Sequence, residues 1–186
     1  MKTSYEMTIA GLERSLPLCR VSEDLYIAAF IMFGDVELTV ACAKELLDRA
    51  PTFDVLITAE AKGIPLICEM ARQAGNSKYI VARKGPKLYM KNIVTVSVNS
   101  ITTDHVQKLS IDSQDAEFLK GKRVLIVDDV ISTGESLLAL EKLVNQVGGN
   151  IVGRMAVLAE GEAADRDDIL YLEKLPLFHP DGSIME

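Results

Sequence analysis

The sequence predicts an α/β protein built on an open, mostly parallel sheet flanked by helices, with a small extra subdomain. Three observations carry this. Short apolar runs at Phe53–Thr58, Lys78–Ala82, Arg123–Val127 and Ile151–Ala159 alternate with helical stretches. Several of these runs are continuously apolar, as strands buried on both faces are. Helix punctuation falls between them, at Pro51, Pro65, Gly75 and Gly148-Gly149.

Taken in order, residues 1–30 have weak periodicity and hold the turn-like Ala10-Gly11 and Pro17, which predicts a small irregular subdomain. Asp35 is placed to cap a helix running to about Ala50, with Val36, Val40, Ala43 and Leu47 on one face. Pro51 ends it, and the strand at Phe53–Thr58 follows. Pro65 suits the first turn of a second helix that stops near Gly75. Beyond the strand at Lys78–Ala82, Ile93–Val98 alternates apolar with polar residues and reads as a half-exposed strand. His105–Ile111 is its expected partner, with turns at Asn99-Ser100 and Ser113-Gln114-Asp115. After the strand at Arg123–Val127, Glu135–Val147 is helical, with Leu137, Leu140, Val144 and Val147 on one face. The strand at Ile151–Ala159 closes the pattern.

The 186 residues suit one domain, 1–186. With 48% hydrophobic and 25% charged residues the chain is globular in type. A net charge of −7 argues against nucleic acid as a partner, because phosphate backbones demand clustered Lys and Arg. No apolar run reaches membrane-spanning length, and Met1–Ala10 lacks the apolar core of a secretory signal. Cys19, Cys42 and Cys68 are widely spaced and are expected to be reduced, packed thiols of a cytoplasmic protein. His105 and His179 stand too far apart in sequence to suggest a zinc site.

In open α/β sheets ligands bind at the carboxyl ends of strands. That rule selects three places. The first is Val124–Ser136, VLIVDDVISTGES. Four apolar residues lead to Asp128 and Asp129, then to Ser132-Thr133-Gly134, and Glu135-Ser136 open a helix. A helix N-terminus presents unpaired N–H groups and partial positive charge, Gly134 admits close approach, and the hydroxyls add donors. The result is a cradle for a phosphomonoester beside carboxylates that can bind sugar hydroxyls. The second place is TAEAKGIPL, residues 58–66, where Ala61, Lys62 and Gly63 precede a Pro-led helix. The third is ARKGPKLYM, residues 82–90, a basic cluster of Arg83, Lys84 and Lys87 in an acidic chain.

The four apolar residues, two acids and small-residue loop of Val124–Ser136 resemble the signature of the type I phosphoribosyltransferases. TAEAKGIPL and ARKGPKLYM resemble the purine branch, and the likeness extends over about Phe53–Ala159. The resemblance implies the fold of that family and an activity joining a purine, with adenine favoured, to the ribose 5-phosphate of PRPP. Ser132, Thr133, Gly134, Glu135 and Ser136 would bind the 5-phosphate. Glu135 departs from the family, where a second glycine is frequent, and is expected to turn its carboxylate away. Asp128 and Asp129 would hold the ribose hydroxyls and reach Mg²⁺ through water, the ion being held chiefly by PRPP. Ala61, Lys62, Gly63, Arg83 and Lys87 would bind pyrophosphate, with Arg83 and Lys87 counted as catalytic through the leaving group.

The resemblance further implies a base-binding hood from residues 1–30 and about 170–186. Its base-binding residues would include Leu25, Tyr26, Ile27 and Val130, with Leu177 and Phe178 as further apolar walls. A lid is implied at about 91–120, tipped by Asn99–Lys108, with Tyr89 and Lys108 entering the closed site. A homodimer is implied as well. The alternatives are a 6-oxopurine enzyme of the same family, using hypoxanthine, guanine or xanthine, and a PRPP-binding regulator similar to the purine repressors. A receiver-like domain would place its acids after the first strand, and no GxxxxGK[ST] supports Walker-type ATP binding.

Overall fold

The computed structural model describes residues 3–99 and 106–185. It opens on a hairpin, β1 (Ser4–Ile9) and β2 (Leu12–Arg20), closed by Ala10 and Gly11 with φ of 49° and 77°. Positive φ at both central positions is the type I′ turn, whose twist suits the strands it joins. β3 (Tyr26–Ala28) pairs antiparallel with β2 and, on its other edge, with Leu177–Phe178. The irregular subdomain expected from sequence is therefore a regular four-stranded sheet. The signal was present: Tyr5, Met7 and Ile9 alternate with Ser4, Glu6 and Thr8, and Ile9 is fully buried.

α1 (Val36–Arg49) is capped as predicted, the Asp35 carboxylate accepting from the Leu38 N–H at 3.0 Å. Its buried face is Leu38, Cys42, Ala43 and Leu46, and Val36 is 73% exposed. The expected face is thus rotated. Apolar residues occupy more than one stripe of this helix, and packing against α2 (Ile64–Ala74) selects the other stripe. Between them runs β4 (Val55–Ala59), buried at every residue. Pro65 lies in the first turn of α2, and Gly75, with φ of 73°, ends it. β5 (Ile80–Ala82) follows.

β6 (Val94–Asn99) and β7 (Val106–Ile111) form the expected antiparallel hairpin; its turn, with Ser100 and His105, lies outside the described residues. Ser113-Gln114-Asp115 is not a turn but opens α3 (Ser113–Leu119), because the Asp112 carboxylate caps it by accepting from the Asp115 N–H at 2.9 Å. β8 (Arg123–Ile131) outruns its predicted end, and α4 (Glu135–Gln146) follows. β9 (Asn150–Glu160), a 3₁₀ turn (Gly161–Asp165), β10 (Leu170–Leu175) and β11 (Leu177–Phe178) complete the chain.

The main sheet has the order β10-β9-β8-β4-β5, and every pair is parallel. β10 belongs to this sheet, so only the tail from Leu177 joins the smaller one. Successive residues of β8 face opposite layers. Leu125 and Val127 enter a core shared with α1, α2 and the small sheet, while Val124 and Ile126 enter one shared with α4 and the β6–β7 hairpin. Parallel strands bring the ends of β4, β5 and β8 to one edge.

Candidate active site

At that edge Asp128 and Asp129 lie within β8 rather than after it, and both are buried. The Asp128 carboxylate accepts from the Asp129 N–H at 2.9 Å. Burial, then the neighbouring charge of Asp129, pushes the Asp128 carboxyl up to about 8. Asp129, 3% exposed, has the Lys62 ammonium 3.1 Å from its Oδ2. That ion pair lacks hydrogen-bond geometry, and the ammonium donates to the Phe30 carbonyl at 2.7 Å.

The segment Ala61-Lys62-Gly63 leads from β4 into α2 and presses on these acids. A Cβ at Gly63 would meet Asp128 Oδ1 and Thr58 Oγ1 at 2.9 Å and the Asp128 Cα at 3.3 Å. Glycine is required here by space, since its φ of −69° is ordinary. Thr58 Oγ1 is buried without a hydrogen-bond partner among the described residues, as are Arg83 Nε and Asp129 Oδ2. Unsatisfied polar atoms concentrated at one strand edge are what a ligand site leaves behind.

Beyond Ile131, Ser132-Thr133-Gly134 turn the chain into α4. Gly134 has φ of 78°, and a Cβ there would lie 2.9 Å from Arg166 Nη1. The first helical bond runs from the Leu138 N–H to the Gly134 carbonyl at 2.9 Å, so the amides before it face outward. They open on a cavity of about 130 Å³ lined by Asp128, Val130, Ile131, Leu137 and the loop Ser132–Ser136. One carboxylate of the pair thus shares a cavity with the loop. Ser136 Oγ accepts from Gln107 Nε2 of β7 at 2.8 Å, which leaves its own proton to donate.

A second cavity, of about 360 Å³, adjoins the loop. Ser132 and Thr133 form one side, and Glu160, Gly161, Glu162, Ala163, Arg166 and Leu177 form the others. Arg166 is fixed from behind: its Nε and Nη2 donate to the Asp168 carboxylate at 2.9 and 2.8 Å. Leu177 stands opposite Ile27 in the small sheet, and paired residues share a face. The hood residues Leu25, Tyr26 and Ile27 are half-buried, and the cavity wall is the neighbour Leu177 rather than these three.

The basic cluster is not free. Arg83 Nη2 lies 3.0 Å and Lys87 Nζ 3.5 Å from Glu60 Oε1, and the Lys84 N–H donates to Glu60 Oε2 at 2.9 Å. That amide, and then the two cations, hold the Glu60 carboxyl below the usual carboxylate range. Tyr89 and Lys108 are exposed and are not brought to the carboxylates. Of the thiols only Cys42 is packed, with burial pushing it up to about 12; Cys19 and Cys68 are exposed, contrary to expectation. Sequence reading missed Glu60, Gln107 and Arg166. Glu60 was visible two residues from Lys62, but Gln107 and Arg166 reach the loop only through tertiary folding.

Among the described residues no group of three or more His, Cys, Asp or Glu side chains is placed to hold a metal ion. The two buried carboxylates fit instead an ion brought in by a ligand and met through water. Among the same residues no helix is long and apolar enough to cross a membrane.

A five-stranded parallel sheet flanked by helices, its central strand carrying paired aspartates toward the Ser132–Ser136 loop, has the architecture of the type I phosphoribosyltransferase fold. The family profile described as a phosphoribosyl transferase domain matches residues 40–176, well over half of the chain, and the protein belongs to that family. Among its relatives is the adenine phosphoribosyltransferase of Thermotoga petrophila, 36% identical over 123 residues, covering 63% of this chain and 68% of that protein. The xanthine phosphoribosyltransferase of an Exiguobacterium species is 28% identical over 139 residues, 73% of this chain and 70% of that one. The fold matches adenine phosphoribosyltransferase from Thermoanaerobacter pseudethanolicus with a TM-score of 0.65 at 21% identity, covering 92% and 95% of the two chains. The enzyme from Trypanosoma brucei, solved with AMP, pyrophosphate and ribose-5-phosphate, matches at 0.64 and 17% identity, over 92% and 76%.

Proposed function

We propose that the protein transfers ribose 5-phosphate from PRPP to a purine, adenine being favoured, and releases pyrophosphate in purine salvage. One observation carries the reading: Asp128 lines the same cavity as the Ser132–Ser136 loop, so a sugar hydroxyl and its 5-phosphate can be held together. The loop amides and the Ser132, Thr133 and Ser136 hydroxyls receive the phosphate. Glu135 contributes its N–H. Asp128, its carboxyl pushed up by burial, donates to one ribose hydroxyl, and Asp129 binds the other.

The C1–oxygen bond to the diphosphate breaks as a ring nitrogen of the base bonds to C1. Positive charge builds on the sugar and negative charge on the leaving diphosphate. Lys62, the amides of Lys62 and Gly63, and Arg83 and Lys87 once drawn from Glu60 would offset that charge, so the protein acts by position and electrostatics. Asp128 and Asp129 would hold a Mg²⁺ ion through water, and the ion would supply further neutralisation there. The hood is the small sheet with Leu177 and Phe178, and Val130 lies beneath the base. The lid, about residues 91–120, is built on the β6–β7 hairpin and excludes water from the reacting centre.

Several exposed apolar residues near α1, Phe33, Val36 and Val40 among them, support a homodimer formed through this helix. The cytoplasm is the expected compartment. The deciding assay follows pyrophosphate release from PRPP and Mg²⁺ with adenine, hypoxanthine, guanine, xanthine, uracil and orotate in turn. Turnover with a purine, abolished in Asp129→Asn, is the expected result. PRPP binding without turnover would make the protein a sensor instead.

A further inference from the structure

The cavity of about 360 Å³ has groups of both charges in its lining. Arg166 stands against the loop, its Nη1 toward Gly134 and its other nitrogens committed to Asp168. β9 finishes in Glu160, which also lines the cavity, and the 3₁₀ turn adds Glu162. Glu160 is half-buried and its carboxylate has no hydrogen-bond or ion-pair partner among the described residues. It is the last residue of a strand whose register with β10 sets Glu160 opposite Leu175. The adjoining Gly161, with φ of 57°, packs under Leu177, whose Cδ1 would lie 3.2 Å from a Cβ at that glycine. The cavity therefore joins an apolar wall at Leu177, a border with the Ser132-Thr133 loop and a carboxylate without a partner among the described residues. An ionised carboxylate accepts hydrogen bonds and donates none.

We propose that Glu160 is a specificity-determining residue of this site. Its carboxylate accepts from an exocyclic amino group, so the cavity takes an amino-substituted base and rejects a base that presents a carbonyl oxygen there. The inference rests on the phosphoribosyltransferase reading and sharpens it from purine to aminopurine. A ring lying along Leu177 would point its substituent at Glu160 while its ribose phosphate occupies the Ser132–Ser136 loop. A carbonyl at that position would set two acceptors against each other. Glu160→Gln replaces one acceptor by a donor and removes the discrimination, whereas Glu160→Leu removes the contact.

The test compares AMP with IMP by calorimetry, which requires no turnover, and adenine with hypoxanthine by kcat/KM. Ribose 5-phosphate binding and the melting temperature serve as checks on the loop and on folding. Wild type is expected to prefer the amino compounds, and Glu160→Leu to lose about 10- to 100-fold for AMP, the worth of a hydrogen bond to a charged group. Ribose 5-phosphate affinity should stay unchanged. Glu160→Gln should narrow the AMP:IMP ratio toward unity. Equal AMP and IMP affinity in wild type, or a ratio that neither variant moves by more than about twofold against that expectation, overturns the inference. Preferential use of hypoxanthine overturns it while leaving the phosphoribosyltransferase reading intact. Failure to bind ribose 5-phosphate overturns both.

Discussion

Gly63→Ala is the most searching single change. The backbone at this position has φ of −69°, which alanine adopts freely, so any effect comes from the added methyl alone. That methyl would sit 2.9 Å from Asp128 Oδ1 and from Thr58 Oγ1, and 3.3 Å from the Asp128 Cα, where ordinary contact is 3.4–4 Å. The Asp128 Cα is backbone of the central strand and cannot yield without bending β8. Both oxygens are on buried side chains of adjacent strands. Overpacking of this kind costs about 2 kcal/mol. For a chain of this size that lowers Tm by roughly 4–8 °C. Because the displaced group is Asp128, ribose 5-phosphate affinity should fall as well, by about tenfold or more. Thr58→Ala in the same chain removes one of the two clashing oxygens and should restore part of both losses. Melting curves and calorimetry with ribose 5-phosphate read the outcome. A Gly63→Ala protein that melts within about 1 °C of wild type and binds as tightly would refute the claimed contact between this turn and the aspartate.

Two further perturbations test the polar arrangement. Folding raises the Asp128 carboxyl from 3.8 to about 8, so the stability it contributes is full below pH 3.8 and is lost as pH rises toward 8. Asp128→Asn, which cannot ionise, should therefore gain Tm relative to wild type between about pH 5 and about pH 9, while abolishing turnover; a pH-independent difference would contradict the burial argument. Gln107→Leu removes the donor to Ser136 Oγ, so the hydroxyl is no longer held in place, and should weaken inorganic phosphate binding by about five- to tenfold with little change in Tm, as titration calorimetry would reveal.

Much of the frame was legible in the chain. The apolar run before Asp128, the small residues after it and the helix start at Glu135 are local signals, and local signals survive folding. So do the Asp35 cap, Pro65 and Gly75. The face of α1 was not legible, because Val36 and Val40 extend one apolar stripe and Leu38, Cys42 and Leu46 extend another. Only the α2 surface decides between them. Ser113-Gln114-Asp115 has turn composition, yet the Asp112 cap makes it helical. In the site the Ser132–Ser136 loop and the helix start after it could be read directly. The Glu60 clasp on Arg83 and Lys87, the Gln107–Ser136 bond and the approach of Arg166 to Gly134 depend on residues far apart in sequence. No spacing rule reports them.

The small sheet and the main sheet bury side chains in one cluster: Ile9, Leu16, Ala28 and Phe178 from the first, Val127, Met155 and Val157 from the second, with Leu38 and Leu46 of α1 between. Prising the two apart would wet this whole interior, so the small sheet is a fixed canopy and not a swinging door. It sets the height of the slot over the carboxyl edge once and for all. Canopy and floor should melt together in a single step.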